Sequence, residues 1–182
     1  MSTHQKKTEQ SKGLVVVFTG NGKGKTSAAM GVLARSTGWD MRVGVIQFIK
    51  SAKRQYGEAQ TATQLGIPFQ SMGDGFVFNR KDQTQSREVA QEAWQKAQKW
   101  IESQNFEVLI LDEITYLFQY EWLDVNEVIQ WLKENKPQNL HIVMTGRNAP
   151  QALIAYADLV TEMKEIKHPY KEGIAAQKGV DY

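Results

Sequence analysis

An α/β fold, with helices on both faces of a mostly parallel sheet, is predicted from three features of this sequence. From Gly13 onward, short apolar runs of strand length alternate with longer segments of helical period. Two of the apolar runs end in residues that carry chemistry, a glycine-rich turn after one and an acidic pair after another. The chain, at 182 residues and 41% hydrophobic, is the size of one domain that buries most of its unfolded surface.

The elements follow in order. Residues 1–12 carry nothing apolar after Met1 and are expected to be a mobile tail; residues 13–182 form the domain. Residues 14–18 read as a buried strand, followed by a glycine-rich turn and by a helix that opens at Gly24-Lys25-Thr26 and ends near Gly38. Residues 43–49 are a second strand. Residues 67–70 are expected at an edge, because Pro68 has no N–H for a central ladder. A loop rich in Gly and Phe occupies residues 72–82. Residues 84–104 form one long amphipathic helix, with Val89, Ala93, Ala97 and Ile101 at spacing four and Ala90, Trp94 and Trp100 beside them. Both tryptophans are expected as core or dimer contacts.

Residues 108–111 are a buried strand that ends in Asp112-Glu113. Asp124 and Glu127 have the spacing of a capping box, opening a helix whose inner face is Val125, Val128, Ile129 and Leu132, with Pro137 beyond its end. Residues 140–145 are a strand, Gly146-Arg147 follows, and a short helix covers residues 150–156. Residues 159–166 alternate well enough for a last strand. There is no internal repeat, low-complexity tract or linker.

Composition narrows the partners. A formal charge of +2 makes no electrostatic case for nucleic acid or an anionic membrane. The chain has no cysteine, so disulfides, thiolate metal sites and cysteine nucleophiles are excluded. His4, His141 and His168 are scattered without ligand spacing. No apolar stretch approaches membrane-spanning length and no signal-peptide core follows Met1, so a cytoplasmic protein is expected.

The turn Gly20-Asn21-Gly22-Lys23-Gly24-Lys25-Thr26-Ser27 is the strongest chemical signal. A strand before it and a helix after it make a phosphate cradle, in which glycines bring backbone N–H groups close to the anion and the helix adds its positive end. Lys25 would reach a phosphate oxygen, Thr26 would ligate Mg²⁺, and Lys23 adds positive charge. The Walker A pattern wants its first glycine at position 19, where this chain has Thr19 with Gly20 beside it. The acid pair Asp112-Glu113, after four apolar residues, has the Walker B arrangement, a carboxylate at a strand end facing the metal. Together they specify a P-loop NTPase-like three-layer fold that binds a nucleoside polyphosphate.

Beyond the loop, several blocks resemble the P-loop type of ATP:corrinoid adenosyltransferase. They are residues 17–26, Val45-Ile46-Gln47-Phe48-Ile49-Lys50, Leu111-Asp112-Glu113-Ile114-Thr115-Tyr116 and Thr145-Gly146-Arg147. Two more are Lys167-His168-Pro169-Tyr170 and Gln177-Lys178-Gly179-Val180-Asp181-Tyr182. The shifted glycine also belongs to that family's loop. The resemblance implies transfer of the 5′-deoxyadenosyl group of ATP to the cobalt of a reduced corrinoid, cob(I)alamin or cob(I)yrinic acid a,c-diamide, with release of triphosphate. It implies ATP and corrinoid as co-substrates, Mg²⁺ as cofactor, Lys25 and Glu113 as catalytic residues, and Thr26, Glu113 and Asp112 around the metal.

It further implies that Phe76 and Phe78 lie below the corrin ring and displace its lower axial ligand; relatives can carry Trp at the second of these positions. A homodimer, a reduced flavoprotein as electron donor and an N-terminal segment folding over the corrinoid are also family expectations. Lys50 and Arg147 stand at strand ends, where a ligand contact and a solvated side chain are both open. The rival reading is a recombinase-like P-loop ATPase, for which a glutamate after the strand acid would orient water.

Overall fold

The computed structural model describes residues 12–51, 56–73 and 84–182. Six strands form one sheet, all of it parallel: β1 (Val15–Thr19), β2 (Val43–Ser51), β3 (Phe69–Gly73), β4 (Val108–Asp112), β5 (His141–Thr145) and β6 (Leu159–Glu162). Their order is β3-β2-β4-β5-β1-β6. The helices are α1 (Lys25–Thr37), α2 (Gly57–Gln64), α3 (Thr84–Glu102), α4 (Thr115–Gln119), α5 (Val125–Asn135) and α6 (Gln151–Tyr156), with a 3₁₀ turn at Pro169–Glu172. This is the expected α/β fold.

Period-two alternation sorts the strand side chains between two layers. Val43, Val45, Val108, Ile110 and Val143 pack with Ala29 and Leu33 of α1. Ile46, Phe48, Leu109, Leu111, Ile142 and Met144 belong to the other cluster, with Ala90, Ala93, Ala97 and Ile101 of α3 and Val128 and Leu132 of α5. Every residue of β4 is buried, so its carboxyl end delivers Asp112 from the middle of the core. Trp94 is in that core, edge-on to Trp131 with centroids 5.5 Å apart. Trp100 packs on Phe106 with ring centroids 4.8 Å apart and planes tilted by 31°, in space left open by Gly44, where a Cβ would lie 2.8 Å from the Phe106 ring.

Several expectations need adjusting. β3 is at the edge, as Pro68 requires, but it extends to Gly73 and takes Met72 out of the predicted loop. The last strand stops at Glu162 rather than Ile166: Met163 donates its N–H to Thr19 O (2.8 Å) and accepts from Gly22 N–H (2.7 Å), which bends the chain onto the glycine-rich turn. Asp124 caps α5 by accepting from the N–H groups of Asn126 and Glu127. Helices α2 and α4 were not expected. Most of the predicted 72–82 loop, including Phe76 and Phe78, lies outside the described residues, as do residues 1–11 of the N-terminal tail.

The order of the sheet positions the site. β5 lies between β1 and β4, so the turn after β1 and the acid pair ending β4 flank the carboxyl end of β5. In a parallel sheet these ends share one edge, where ligands bind in crevices between strand exits.

Candidate active site

The turn between β1 and α1 is built by close backbone approach. Gly20 and Gly24 hold φ of 96° and 108°, in the left-handed region. At Gly22 a Cβ would lie 2.8 Å from the backbone of Met163 and Lys164, so only hydrogen fits there. Helix α1 starts at Lys25 with no side-chain cap, leaving its first-turn N–H groups for an external acceptor. The Lys25 ammonium donates to Gly20 O (2.9 Å) and Gly22 O (2.7 Å), tying the turn together. Burial lowers its pKa, and the nearby Arg147 charge acts in the same direction. Lys23 forms an ion pair with Asp181.

Asp112 is fully buried, and both its oxygens are engaged. Oδ1 accepts from Thr26 Oγ1 (3.0 Å) and Thr145 Oγ1 (2.7 Å); Oδ2 accepts from Gln47 Nε2 (3.0 Å), with Lys50 Nζ 3.8 Å away. The Thr26 hydroxyl therefore spends its proton on Asp112 and keeps its lone pairs for another partner. Thr145 in turn accepts from Glu113 N–H at 2.9 Å, which links the two acids through one hydroxyl.

Glu113 has φ of 66°, a left-handed conformation unusual for a residue with a side chain. Its carboxyl pKa is raised to about 7, first by burial and then by the charge of Asp112. Lys50 is paired with Glu58 at 2.7 Å. Burial works against the Lys50 ammonium, yet Asp112 and Glu58 outweigh it and hold its pKa above the ordinary value.

The exit of β5 closes the arrangement. Gly146, at φ 142°, leaves no room for a Cβ, which would sit 2.0 Å from Thr115 Oγ1. Thr115 donates to Arg147 O (2.7 Å), and Thr19 Oγ1 accepts from Ala149 N–H (3.1 Å).

These parts meet around a cleft of about 640 Å³. Lys23, Gly24, Lys25, Thr26, Ser27, Lys50, Glu113 and Arg147 all line it. Gly20, Gly22 and Asp112 are buried behind that lining, and Asn21 is exposed on the turn without lining the cleft. Sequence reasoning gave no site role to Gln47 or Thr145, the partners of Asp112. The signals they carried were a polar residue inside or ending an otherwise apolar run and a place in the blocks that resemble the family. It also missed Gly57, Glu58 and Thr61 of α2, and the cleft-lining residues Gly179, Val180, Asp181 and Tyr182, whose terminal motif it had noted without a role.

The oxygen donors suit a hard cation. Mg²⁺ takes one or two carboxylates and completes its octahedron with phosphate oxygens and water. Thr26 and Glu113 on the cleft, with Asp112 orienting Thr26, fit that demand. Among the described residues there is no cluster of three or more His, Cys, Asp or Glu that would instead form an all-protein cage.

Comparison with known proteins bears on the chemistry. Residues 11–182 match the family described as ATP:corrinoid adenosyltransferase BtuR/CobO/CobP. A corrinoid adenosyltransferase from Sinorhizobium sp is 42% identical over 178 residues, covering 97% of this chain and 83% of that protein. One from Escherichia coli K12 is 36% identical over 174 residues, covering 96% and 88%. Corrinoid adenosyltransferase CobA of Salmonella typhimurium is 35% identical, with the same coverage of 96% and 88%. Among solved structures, flagellar accessory protein FlaH from Methanocaldococcus jannaschii superposes with a TM-score of 0.55 over 84% of this chain and 71% of that one, at 12% identity; that likeness concerns the fold alone. With a P-loop cleft at its sheet edge and this match over nearly its whole length, the chain belongs to the ATP:corrinoid adenosyltransferase family.

Proposed function

We propose that this cleft transfers the 5′-deoxyadenosyl group of ATP to the cobalt of a reduced corrinoid and releases triphosphate. The observation that supports it best is one cleft lined at once by Lys25, Thr26 and Glu113, at the uncapped start of α1. In the reaction, cob(I) attacks C5′ with its electron pair, a Co–C bond forms, and the C5′–O bond breaks. The electron pair of that bond leaves on triphosphate while cobalt goes from the +1 to the +3 state. No proton moves, so no general base is needed.

The chemistry asked of the chain is stabilisation of a departing polyanion. Lys25 and the first amides of α1 do this with fixed charge and dipoles, which need no reorganisation as the bond breaks. Thr26 and Glu113 would hold Mg²⁺, which supplies further neutralisation of the phosphate oxygens. Asp112 acts through Thr26, whose hydroxyl it turns toward the cleft by taking its proton. In the same proposal Phe76 and Phe78 face the corrinoid, the chain works as a cytoplasmic homodimer, and a reduced flavoprotein supplies the electron; these rest on the family resemblance.

The test is incubation with Mg-ATP and chemically reduced cobalamin in the dark. A light-sensitive alkyl-cob(III) spectrum with one triphosphate per cobalt is expected. ADP and phosphate released whether or not corrinoid is present would overturn the proposal in favour of an ATPase.

A further inference from the structure

The phosphate end of the cleft is accounted for by the turn and α1. ATP also has a flat aromatic end, and the cleft has a wall that has been given no task. Residues 177–182 fold into a turn against the mouth of the site. Gly179, at φ 81°, donates its N–H to Tyr182 O (2.8 Å), and Asp181 N–H donates to Gln177 O (2.8 Å). The Asp181 side chain, only 8% exposed, accepts from Gln177 N–H at 2.6 Å and forms the ion pair with Lys23. One carboxylate thus closes this turn and joins it to the phosphate loop.

Tyr182 is the residue so placed. It lines the cleft, and its backbone lies 3.7 Å from where a Cβ on Gly57 would be, at the start of α2. Among the described residues, the aromatic ones that line the cleft are Tyr116 and Tyr182. Tyr116 stacks on Tyr120 and packs against the core. Tyr182 is 36% exposed and lines the cleft beside Lys23, Gly24 and Gly57, on the side where the turn at residues 177–182 meets the phosphate loop. Stacking on a base needs little more than such a ring held in place.

We propose that the turn at residues 177–182 is the nucleoside-recognition wall of the ATP site. Tyr182 stacks on the base, and Asp181 is the positioning residue that fixes the turn to Lys23. This rests on the phosphate site proposed above, and the two are separable by choice of ligand. Inorganic triphosphate has the polyanion without the base, so a wall for the nucleoside discriminates between it and ATP.

The experiment measures Mg-ATP and Mg-triphosphate affinity by calorimetric titration on the whole chain. Tyr182→Ala is expected to weaken ATP about tenfold and to leave triphosphate within about twofold, while Tyr182→Phe, which keeps the ring, stays close to wild type for both. Asp181→Asn should weaken ATP but not triphosphate, because the turn loses its anchor while a negative charge beside Lys23 disappears. Equal weakening of both ligands by Tyr182→Ala, or no weakening of ATP, would overturn the assignment. Lys25→Ala should weaken both ligands; if it leaves both unchanged, the phosphate site itself is wrong, whatever Tyr182 does.

Discussion

At the scale of single residues, the site depends on a carboxylate that no ligand needs to touch. Asp112 collects hydrogen bonds from Thr26, Thr145 and Gln47, and through Thr145 it also sets the Glu113 backbone. Thr145→Val keeps the shape of the side chain but strands the Glu113 N–H and loosens Asp112. A loss of about 1–3 kcal/mol is expected, read as a lower denaturation midpoint, together with a fall in adenosyl transfer. Unchanged transfer would show that Asp112 orients Thr26 without this help.

Glu113 carries a pH prediction. Its pKa is raised from 4.5 to about 7, so in the metal-free protein the unfolded chain loses this proton first as pH rises. Stability from this group therefore falls between those two values and is flat above them. Glu113→Gln removes the penalty: its unfolding free energy should match wild type near pH 4.5 and exceed it above pH 7 by no more than about 3 kcal/mol, read as a higher melting temperature. A pH-independent difference would show that burial does not govern this carboxyl. The acid pair was legible because four apolar residues precede it, but Gln47 and Thr145 were not. A polar side chain inside an apolar run acquires meaning only when strand pairing brings β2, β4 and β5 together.

At the scale of elements, backbone conformation governs the connections around the cleft. Gly146→Ala would place a Cβ against Thr115 Oγ1 at a φ of 142°, so both contact and torsion oppose it. A cost of about 3 kcal/mol or more is expected, with Arg147 displaced because Thr115 can no longer hold its carbonyl. A wild-type melting temperature for this variant would mean that the exit of β5 yields easily. For comparison, Asp124→Ala at the start of α5, remote from the cleft, should cost about 1 kcal/mol and leave transfer unchanged. The long elements were legible from periodicity: α3 and α5 each bury a face at spacing three and four. Helices α2 and α4 were not, since eight and five residues give too few turns for a period to stand out. The end of β6 was misplaced for another reason, as Met163 pairs with Thr19 and Gly22 instead of continuing outward.

At the scale of the whole molecule, a parallel sheet collects every strand exit at one edge, and residues far apart in the chain become neighbours there. Thr26 opens α1, Glu113 follows β4, Thr145 ends β5 and Asp181 lies in the turn at residues 177–182, so the assembled sheet is what brings these segments within reach of one another. A ligand that bridges these connections binds the folded chain and not the unfolded one, and must therefore raise its melting temperature by mass action. At a free Mg-ATP concentration of about 100 times Kd the gain is about 2.7 kcal/mol, which for a chain of this size is a rise of about 5–10 °C. Lys25→Ala should itself melt close to wild type, because it removes two loop hydrogen bonds at a half-buried position and nothing from the core. At the same Mg-ATP concentration it should lose most of the rise. A full rise in the Lys25→Ala protein would mean that the nucleotide is held somewhere other than the start of α1.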